Sequence, residues 1–228
     1  MSRILILRPE PGASETAARA RALGLDPIVA PLFTVRTLAW EPPEEPFDAL
    51  LLTSANAPRH GGPGMRPFFH LPGFAVGEAT AEAARLAGFI DVEPGPADGA
   101  AALAMAVEKG CGRILHLCGR DHVELAYPGA SVLSCPVYAS DAVGRLPAAV
   151  LEGGSLALLH SPRAAALFAR LVKDPSTIAI AAISRAAADA AGGGWAAVHV
   201  AQRPRDQALL ELAAKLCKTM PSGEQHKV

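Results

Sequence analysis

The sequence predicts an α/β fold of doubly wound parallel sheets, built twice over. Short apolar runs, Ala49–Leu52 and Leu156–Leu159, break abruptly into small polar residues, Thr53-Ser54-Ala55-Asn56 and His160-Ser161-Pro162. Such runs suit strands buried on both faces of a parallel sheet. They alternate with Ala-rich helical stretches, as βαβ units do. Four landmarks also return in one order. Arg3-Ile4-Leu5 recurs as Arg113-Ile114-Leu115, Pro31-Leu32-Phe33 as Pro136-Val137-Tyr138, Ser54 as Ser161 and Val76 as Ile183, at separations of 110, 105, 107 and 107 residues. That period is too long for a solenoid and matches a small doubly wound domain, so the chain reads as an internal duplication. Two lobes of this kind leave a cleft between their strand-end loops, where open α/β sheets bind ligands.

Each element follows from local chemistry. Arg3 to Arg8 reads as the first strand, turned by Glu10-Pro11-Gly12. Ser14 is the expected cap of a helix through Ala13–Leu23, with Gly24 as its stop. Ile28–Val35 reads as one extended segment, followed by a Pro- and Glu-rich linker over Thr37–Pro46. After the central strand, Ser54 or Asn56 is expected to cap the next segment. Pro58 to Pro72 holds four prolines and three glycines, so this crossover is expected to be more loop than helix. Strand Phe74–Gly77, helix Glu78–Leu86 closed by Gly88, strand Phe89–Val92 and helix Gly99–Lys109 complete the first copy. Strand Arg113–Cys118 opens the second. The central echo at Leu156 precedes strand Thr177–Ile183, helix Arg185–Ala191, strand Ala196–Val200 and helix Asp206–Leu216. Gly192-Gly193-Gly194 reads as a helix stop, and Ser222 to Val228 as a frayed tail.

Bulk properties narrow the function. The chain has 228 residues, half of them hydrophobic and 19% charged, with a net charge of −1 and no basic tract. A nucleic-acid surface is therefore not expected. Arginine dominates the cations, which suits carboxylate or phosphate recognition. Arg, Ala, Gly and Pro also share GC-rich codons, so the bias has a second explanation. Cys111, Cys118, Cys135 and Cys217 show no ligand-like spacing and read as reduced thiols of a cytosolic protein. The N-terminal apolar run is far too short for a signal peptide or membrane span. No G-x-G-x-x-G follows a first strand, and there is no phosphate loop, H-E-x-x-H or G-x-S-x-G. His116 and His122 stand six apart, without metal-ligand spacing. The chemistry expected is free of nucleotide and metal.

The set Leu7-Arg8-Pro9, Leu52-Thr53-Ser54-Ala55-Asn56-Ala57, Val76-Gly77-Glu78-Ala79-Thr80-Ala81, Arg113-Ile114-Leu115 with Gly119, Val137-Tyr138 and Ser161-Pro162 resembles the uroporphyrinogen-III synthase family, from about Arg3 to Leu216. The resemblance implies two flavodoxin-like lobes joined by a two-stranded linker. Lobe 1 would comprise 1–34 and 143–228, lobe 2 would comprise 38–136, and the linker strands would lie near 32–38 and 137–143. It implies a cyclising lyase of haem biosynthesis that closes hydroxymethylbilane, a linear tetrapyrrole, into uroporphyrinogen III with inversion of ring D. The hydroxyl leaves as water to give an azafulvene cation. Ring D attacks through its substituted carbon, and a spiro intermediate fragments and recloses. No cofactor is implied. A cytoplasmic monomer is implied, with transient hand-off of substrate from the preceding pathway enzyme and no nucleic-acid or membrane partner.

Eight substrate carboxylates would meet N–H groups and positive dipole ends at Ser54–Asn56, Gly77–Thr80 and Ser161–Arg163. The expected substrate-binding residues are Arg8, Thr53, Ser54, Asn56, Gly77, Thr80, Ser161 and Arg185. Tyr138 matches the family position thought to assist departure of the hydroxyl, as a phenol donating to the leaving oxygen. Other roles stay open: Thr53, Ser54 and Ser161 as caps, Arg8 and Arg185 as solvated rim charges, Tyr138 as a half-buried hinge residue. This chain has His160-Ser161 where the family often has Thr-Ser, and Ser184 and Ala187 where it often has Gly and a later Thr. On pattern alone, a non-catalytic two-lobed binding or sensor protein fits a duplicated doubly wound chain equally well.

Overall fold

A computed structural model describes residues 3–96, 98–151 and 155–219. In chain order the elements begin with β1 (Arg3–Ile6), α1 (Gly12–Ala22), β2 (Asp26–Val29), β3 (Phe33–Thr37), β4 (Ala49–Leu52) and α2 (Asn56–His60). A 3₁₀ segment over Gly62–Phe68 leads to β5 (Gly73–Val76), α3 (Glu78–Ala87), β6 (Val92–Gly95), α4 (Gly99–Glu108), β7 (Arg113–Gly119) and β8 (Ser131–Ala142). Then come α5 (Ala148–Leu151), β9 (Leu156–Leu159), α6 (Pro162–Leu171), β10 (Ala179–Ala182), α7 (Arg185–Ala191), β11 (Ala197–Val200) and α8 (Asp206–Thr219).

The chain divides into two compact units, Met1–Thr34 with Ala142–Val228, and Val35–Asp141. In the first, terminal unit, a five-stranded sheet runs in the order β11-β10-β9-β1-β2, every neighbour parallel. Ile4 pairs with Leu156 and Ile6 with Leu158, so β1 shares a sheet with the late strand β9 and not with β4. In the second, middle unit the sheet order is β3-β8-β7-β4-β5-β6, and the five strands from β8 to β6 are parallel.

Alternation along the central strands explains the two-sided burial. Leu5, Leu7, Ala157 and Leu159 enter one apolar cluster of the terminal unit, while Ile4, Ile6, Leu156 and Leu158 enter the other. In the middle unit Leu50 and Leu52 face one cluster, Ala49 and Leu51 the opposite one. Successive side chains of a strand point to opposite faces, so a continuous apolar run needs a cover on both. α1 and α8 supply residues on one face of the terminal sheet; α6 and α7 supply them on the other.

Several expectations are corrected. Ser14 does not cap α1, which already begins at Gly12. It sits in the first turn, and its N–H and hydroxyl donate to the Glu10 carboxylate at 2.9 and 2.8 Å. Ile28–Val35 is not one segment: Pro31 has no N–H for a ladder, and β2 stops at Val29 before β3 begins at Phe33. The Pro58–Pro72 crossover is largely helical. Pro58 lies in the first turn of α2 and Pro63 opens the 3₁₀ segment, positions whose N–H groups lack helical partners anyway. Phe89–Val92 is not a strand. The Phe89 N–H bonds the Ala84 carbonyl behind Gly88, whose φ of 113° ends α3, and β6 starts only at Val92. The 137–143 segment, by contrast, needs no correction. It is mostly the later part of the twelve-residue β8, which pairs with β7 from Ser131 to Tyr138. Alongside β3, the Leu38 N–H donates to the Val137 carbonyl and the Val143 N–H to the Leu32 carbonyl. Ser222 to Val228 lies outside the described residues.

Candidate active site

In each sheet one pair of neighbouring strands sends its connections in opposite directions, which opens a crevice beyond their carboxyl ends. In the middle unit that pair is β4 and β7. A pocket of about 400 Å³ lies there, lined by Thr53 and Ser54 after β4, by Asp98 and Gly99 at the start of α4, by His116, Gly119 and His122 on and after β7, and by Tyr138 of β8.

Tyr138 is placed by a register shift between Cys118 and Gly119 that sets it opposite Gly119. A Cβ at Gly119 would stand 2.7 Å from the phenol Cζ and 2.9 Å from its Oη, so only glycine lets the ring lie this close to the strand. The ring is half-buried, and among the described residues none hydrogen-bonds its hydroxyl.

Behind Thr53 sits His116, 1% exposed between the buried apolar residues Leu115 and Leu117 of β7. Its Nε2 is 2.9 Å from the Thr53 hydroxyl and its Nδ1 3.3 Å from Ser134 Oγ on the adjacent strand. Burial, and then the charge of His122, push its pKa down to about 4, so the ring is neutral near pH 7. His122 crosses the His116 ring edge to face, with centroids 5.7 Å apart. Its Nδ1 lies 2.9 Å from the Gly119 carbonyl oxygen and its Nε2 3.1 Å from the Glu124 carboxylate. The carbonyl oxygen and the carboxylate are hydrogen-bond acceptors, so an N–H at either ring nitrogen has a partner in place.

The corresponding crevice of the terminal unit lies beyond β1 and β9, and a carboxylate occupies it. Asp206, at the first turn of α8, accepts from His160 Nε2 at 2.8 Å, Thr16 Oγ1 at 2.9 Å and Arg19 Nε at 3.0 Å, with Arg8 Nη1 at 3.5 Å. Burial raises its pKa, but the hydrogen bonds from His160 and Thr16, with the charge of His160 and the bond from Arg19, outweigh burial and hold it below the usual carboxylate range. Arg8 also lies across the start of α1, where a Cβ at Gly12 would meet its guanidinium at 2.6 Å.

The expected site residues therefore fall into separate places. Thr53, Ser54 and Tyr138 share the middle-unit pocket. Asn56 does not cap α2 but is its first residue, its N–H donating to Ser54 Oγ at 3.2 Å. Gly77 precedes α3 with φ of 74°, and Thr80 is buried in that helix's first turn. Ser161 caps α6 by accepting from the Ala164 N–H at 3.2 Å. Ser184 caps α7 in the same way, leaving Arg185 exposed at its first position and Ala187 in the core. The roles of His116, His122 and Asp206 are new. A lone histidine inside an apolar strand is a legible signal for the first. Asp206 gives none, because His160 is its nearest polar partner in sequence, 46 residues away.

Parallel strand order, cores on both sheet faces and polar groups gathered at a crevice define a doubly wound α/β protein with a strand-end ligand site. The family model for uroporphyrinogen-III synthase HemD matches residues 14–211. The chain belongs to the uroporphyrinogen-III synthase family. It is similar in fold to uroporphyrinogen-III synthetase from Helicobacter pylori 26695, at 18% identity and a TM-score of 0.68, over 94% of this chain and 99% of that one. A mutant uroporphyrinogen III synthase from the extremely thermophilic bacterium Thermus thermophilus is also similar, at 18% identity and a TM-score of 0.51, over 96% and 100%. No curated protein matches the chain. The family activity is cyclisation of hydroxymethylbilane to uroporphyrinogen III with loss of water and inversion of ring D, a step of haem biosynthesis. A non-catalytic sensor is not favoured. No described helix is long and apolar enough to cross a membrane.

Proposed function

We propose that this reaction takes place in the middle-unit crevice, with Tyr138 donating a hydrogen bond to the departing hydroxyl. The observation that carries this reading is the Tyr138 phenol, held over Gly119 on the pocket wall with no partner for its hydroxyl among the described residues. A phenol is both donor and acceptor, so a partner from the substrate completes it. Thr53, supported by neutral His116, and Ser54 offer further polar contacts on the same wall. Backbone N–H groups at the start of α3, from Gly77 to Thr80, are the proposed partners of substrate carboxylates in this unit, and the start of α6, from Ser161 to Arg163, is the candidate of the same chemistry in the terminal unit. Arg8, Asn56 and Arg185 stand as weaker candidates, Arg8 because Asp206 already shares its charge.

The fold is read as a swapped duplication. Leaving aside β3, which adds a sixth strand beside β8, each copy gives its first two strands to one unit and its last three to the other, so both sheets carry the order second-first-third-fourth-fifth, the flavodoxin order. Cytoplasmic location, a monomeric state and substrate hand-off from the preceding enzyme complete the reading. They rest on the family and the cysteine content.

Tyr138→Phe tests the site. Turnover should fall more than substrate affinity, because the leaving oxygen gains charge only as it departs. Help of this kind is worth ~10²–10⁴-fold in general, and a substrate that ionises readily should show the low end. A slowed enzyme should release more of the non-inverted isomer, which spontaneous closure gives. Unchanged turnover with an unchanged isomer ratio would make Tyr138 a packing residue.

A further inference from the structure

We propose that His122 is the proton donor of this site, and that the pocket receives the hydroxymethyl end of the substrate, where positive charge develops. The inference rests on the middle-unit crevice being the reaction site. Two observations carry it. The first is the character of the lining: among its described residues are two carboxylates, Asp98 and Asp121, two histidines and no lysine or arginine. A pocket built for substrate carboxylates would carry guanidinium or ammonium groups. One lined by carboxylates suits a cation, and ionisation of the substrate creates one. The second observation is the setting of His122. Its Nδ1 is held 2.9 Å from the Gly119 carbonyl oxygen, while its Nε2 faces Glu124, an 83% exposed side chain that a substrate hydroxyl can displace.

The groups around the ring fit a single mobile proton. His116 faces it from β7 as a neutral imidazole, so the two rings do not carry charge together. Asp121 and Glu124 flank it in sequence, and Asp98 and Tyr138 line the same pocket from α4 and β8. Arg120 lies beside it in sequence but is paired with Asp121 and Asp141. In the reaction the carbon–oxygen bond of the hydroxymethyl group breaks and its electron pair stays with oxygen. That oxygen takes the Nε2 proton and leaves as water, and the pyrrole keeps the positive charge as the azafulvene. His122 is then neutral but still anchored through Nδ1–H. It is placed to take back the proton released when the closed macrocycle regains its aromatic pyrroles, so no net proton is consumed.

The test uses the full chain with hydroxymethylbilane as substrate. His122→Gln should lower kcat about 10²-fold, the low end for general-acid catalysis, with unchanged affinity and a larger share of the non-inverted isomer. His122→Ala should behave alike and regain turnover when imidazole is added, which a purely structural role does not allow. Unchanged kcat in both variants overturns the proposal. So does a loss confined to affinity, which would make His122 a carboxylate anchor, and so does a loss that imidazole leaves unrepaired. Ala100→Trp, which fills the pocket from the first turn of α4, separates the two levels. Intact turnover in that variant would remove the crevice itself as the reaction site. Lost turnover there beside a fully active His122→Gln would remove only the role of His122.

Discussion

Asp206 shows how strongly one residue can be held by its surroundings. Its side chain is 16% exposed, yet it keeps its charge because a histidine, a hydroxyl and two guanidiniums converge on it. One ring nitrogen of that histidine, His160 Nδ1, is buried without a hydrogen-bond partner among the described residues. Replacing Asp206 by Asn removes the charge and leaves the cations around it partly uncompensated, so the variant should lose about 2 kcal/mol of stability at pH 7. The pH dependence has a definite sign. The folded-state pKa is depressed, so the contribution is fully present above the unfolded carboxylate value of about 4 and fades as pH falls below it. Urea midpoints of Asp206→Asn and the unaltered chain should therefore differ at pH 7 and converge in acid. A gap that widens in acid would contradict the assignment.

At the scale of elements, small residues at strand ends serve helices first. Ser161, Ser184 and Asp98 each accept from the N–H three residues on, at the starts of α6, α7 and α4. A capping oxygen satisfies one of the four free donors of a first turn, and losing it costs about 1 kcal/mol. Ser161→Ala should lower the unfolding free energy by about that amount. If the hydroxyl only caps, kcat/KM measured well below the unfolding transition should not change. A large loss of activity with unaltered stability would make Ser161 a substrate contact instead. Glycines act on the same scale by permitting close approach: Gly119 admits the Tyr138 ring, and Gly77, at φ of 74°, turns the chain from β5 into α3.

Over the whole molecule, continuity in sequence and continuity in space part company. The middle unit, Val35–Asp141, is one uninterrupted stretch with apolar clusters on both faces of its sheet. The terminal unit is assembled from two distant stretches, and β1 has β9 as a neighbour across about 150 residues of chain. Two behaviours should follow. A fragment of residues 35–141 should unfold cooperatively in urea, since it holds β4 to β7 and nearly all of β8. A fragment of residues 1–34 should show no cooperative unfolding transition by circular dichroism, because β1 and β2 with α1 alone leave one sheet face and the β1 edge uncovered. A 35–141 fragment without a cooperative transition would show that the middle unit depends on the rest.

By itself the sequence determined the local identity of most elements and the class of fold. Apolar runs such as Ala49–Leu52 and Leu156–Leu159 can be satisfied only by burial on both faces, and the Ala-rich stretches between them supply the covering helices. Arg185–Ala191 is helical with the bounds its composition suggests. The sequence also carried the strand-end residues Thr53 and Ser54 of the pocket, at the break of an apolar run, and Tyr138 through the resemblance to the family. It misread places where an apolar residue closes a helix instead of forming a strand, as Phe89 does, and where prolines start helices, as Pro58 and Pro63 do. Only the tertiary structure decided which strands are neighbours, and so which polar groups share a crevice. His116, Thr53 and Ser134 meet because β4, β7 and β8 lie side by side, and His160 meets Asp206 because α8 returns to the end of β9. Hydrogen bonds act over about 3 Å and desolvation over a few more, so the charge states of His116 and Asp206 depend on neighbours from 6 residues away, as His122 is, to 190 away, as Thr16 is.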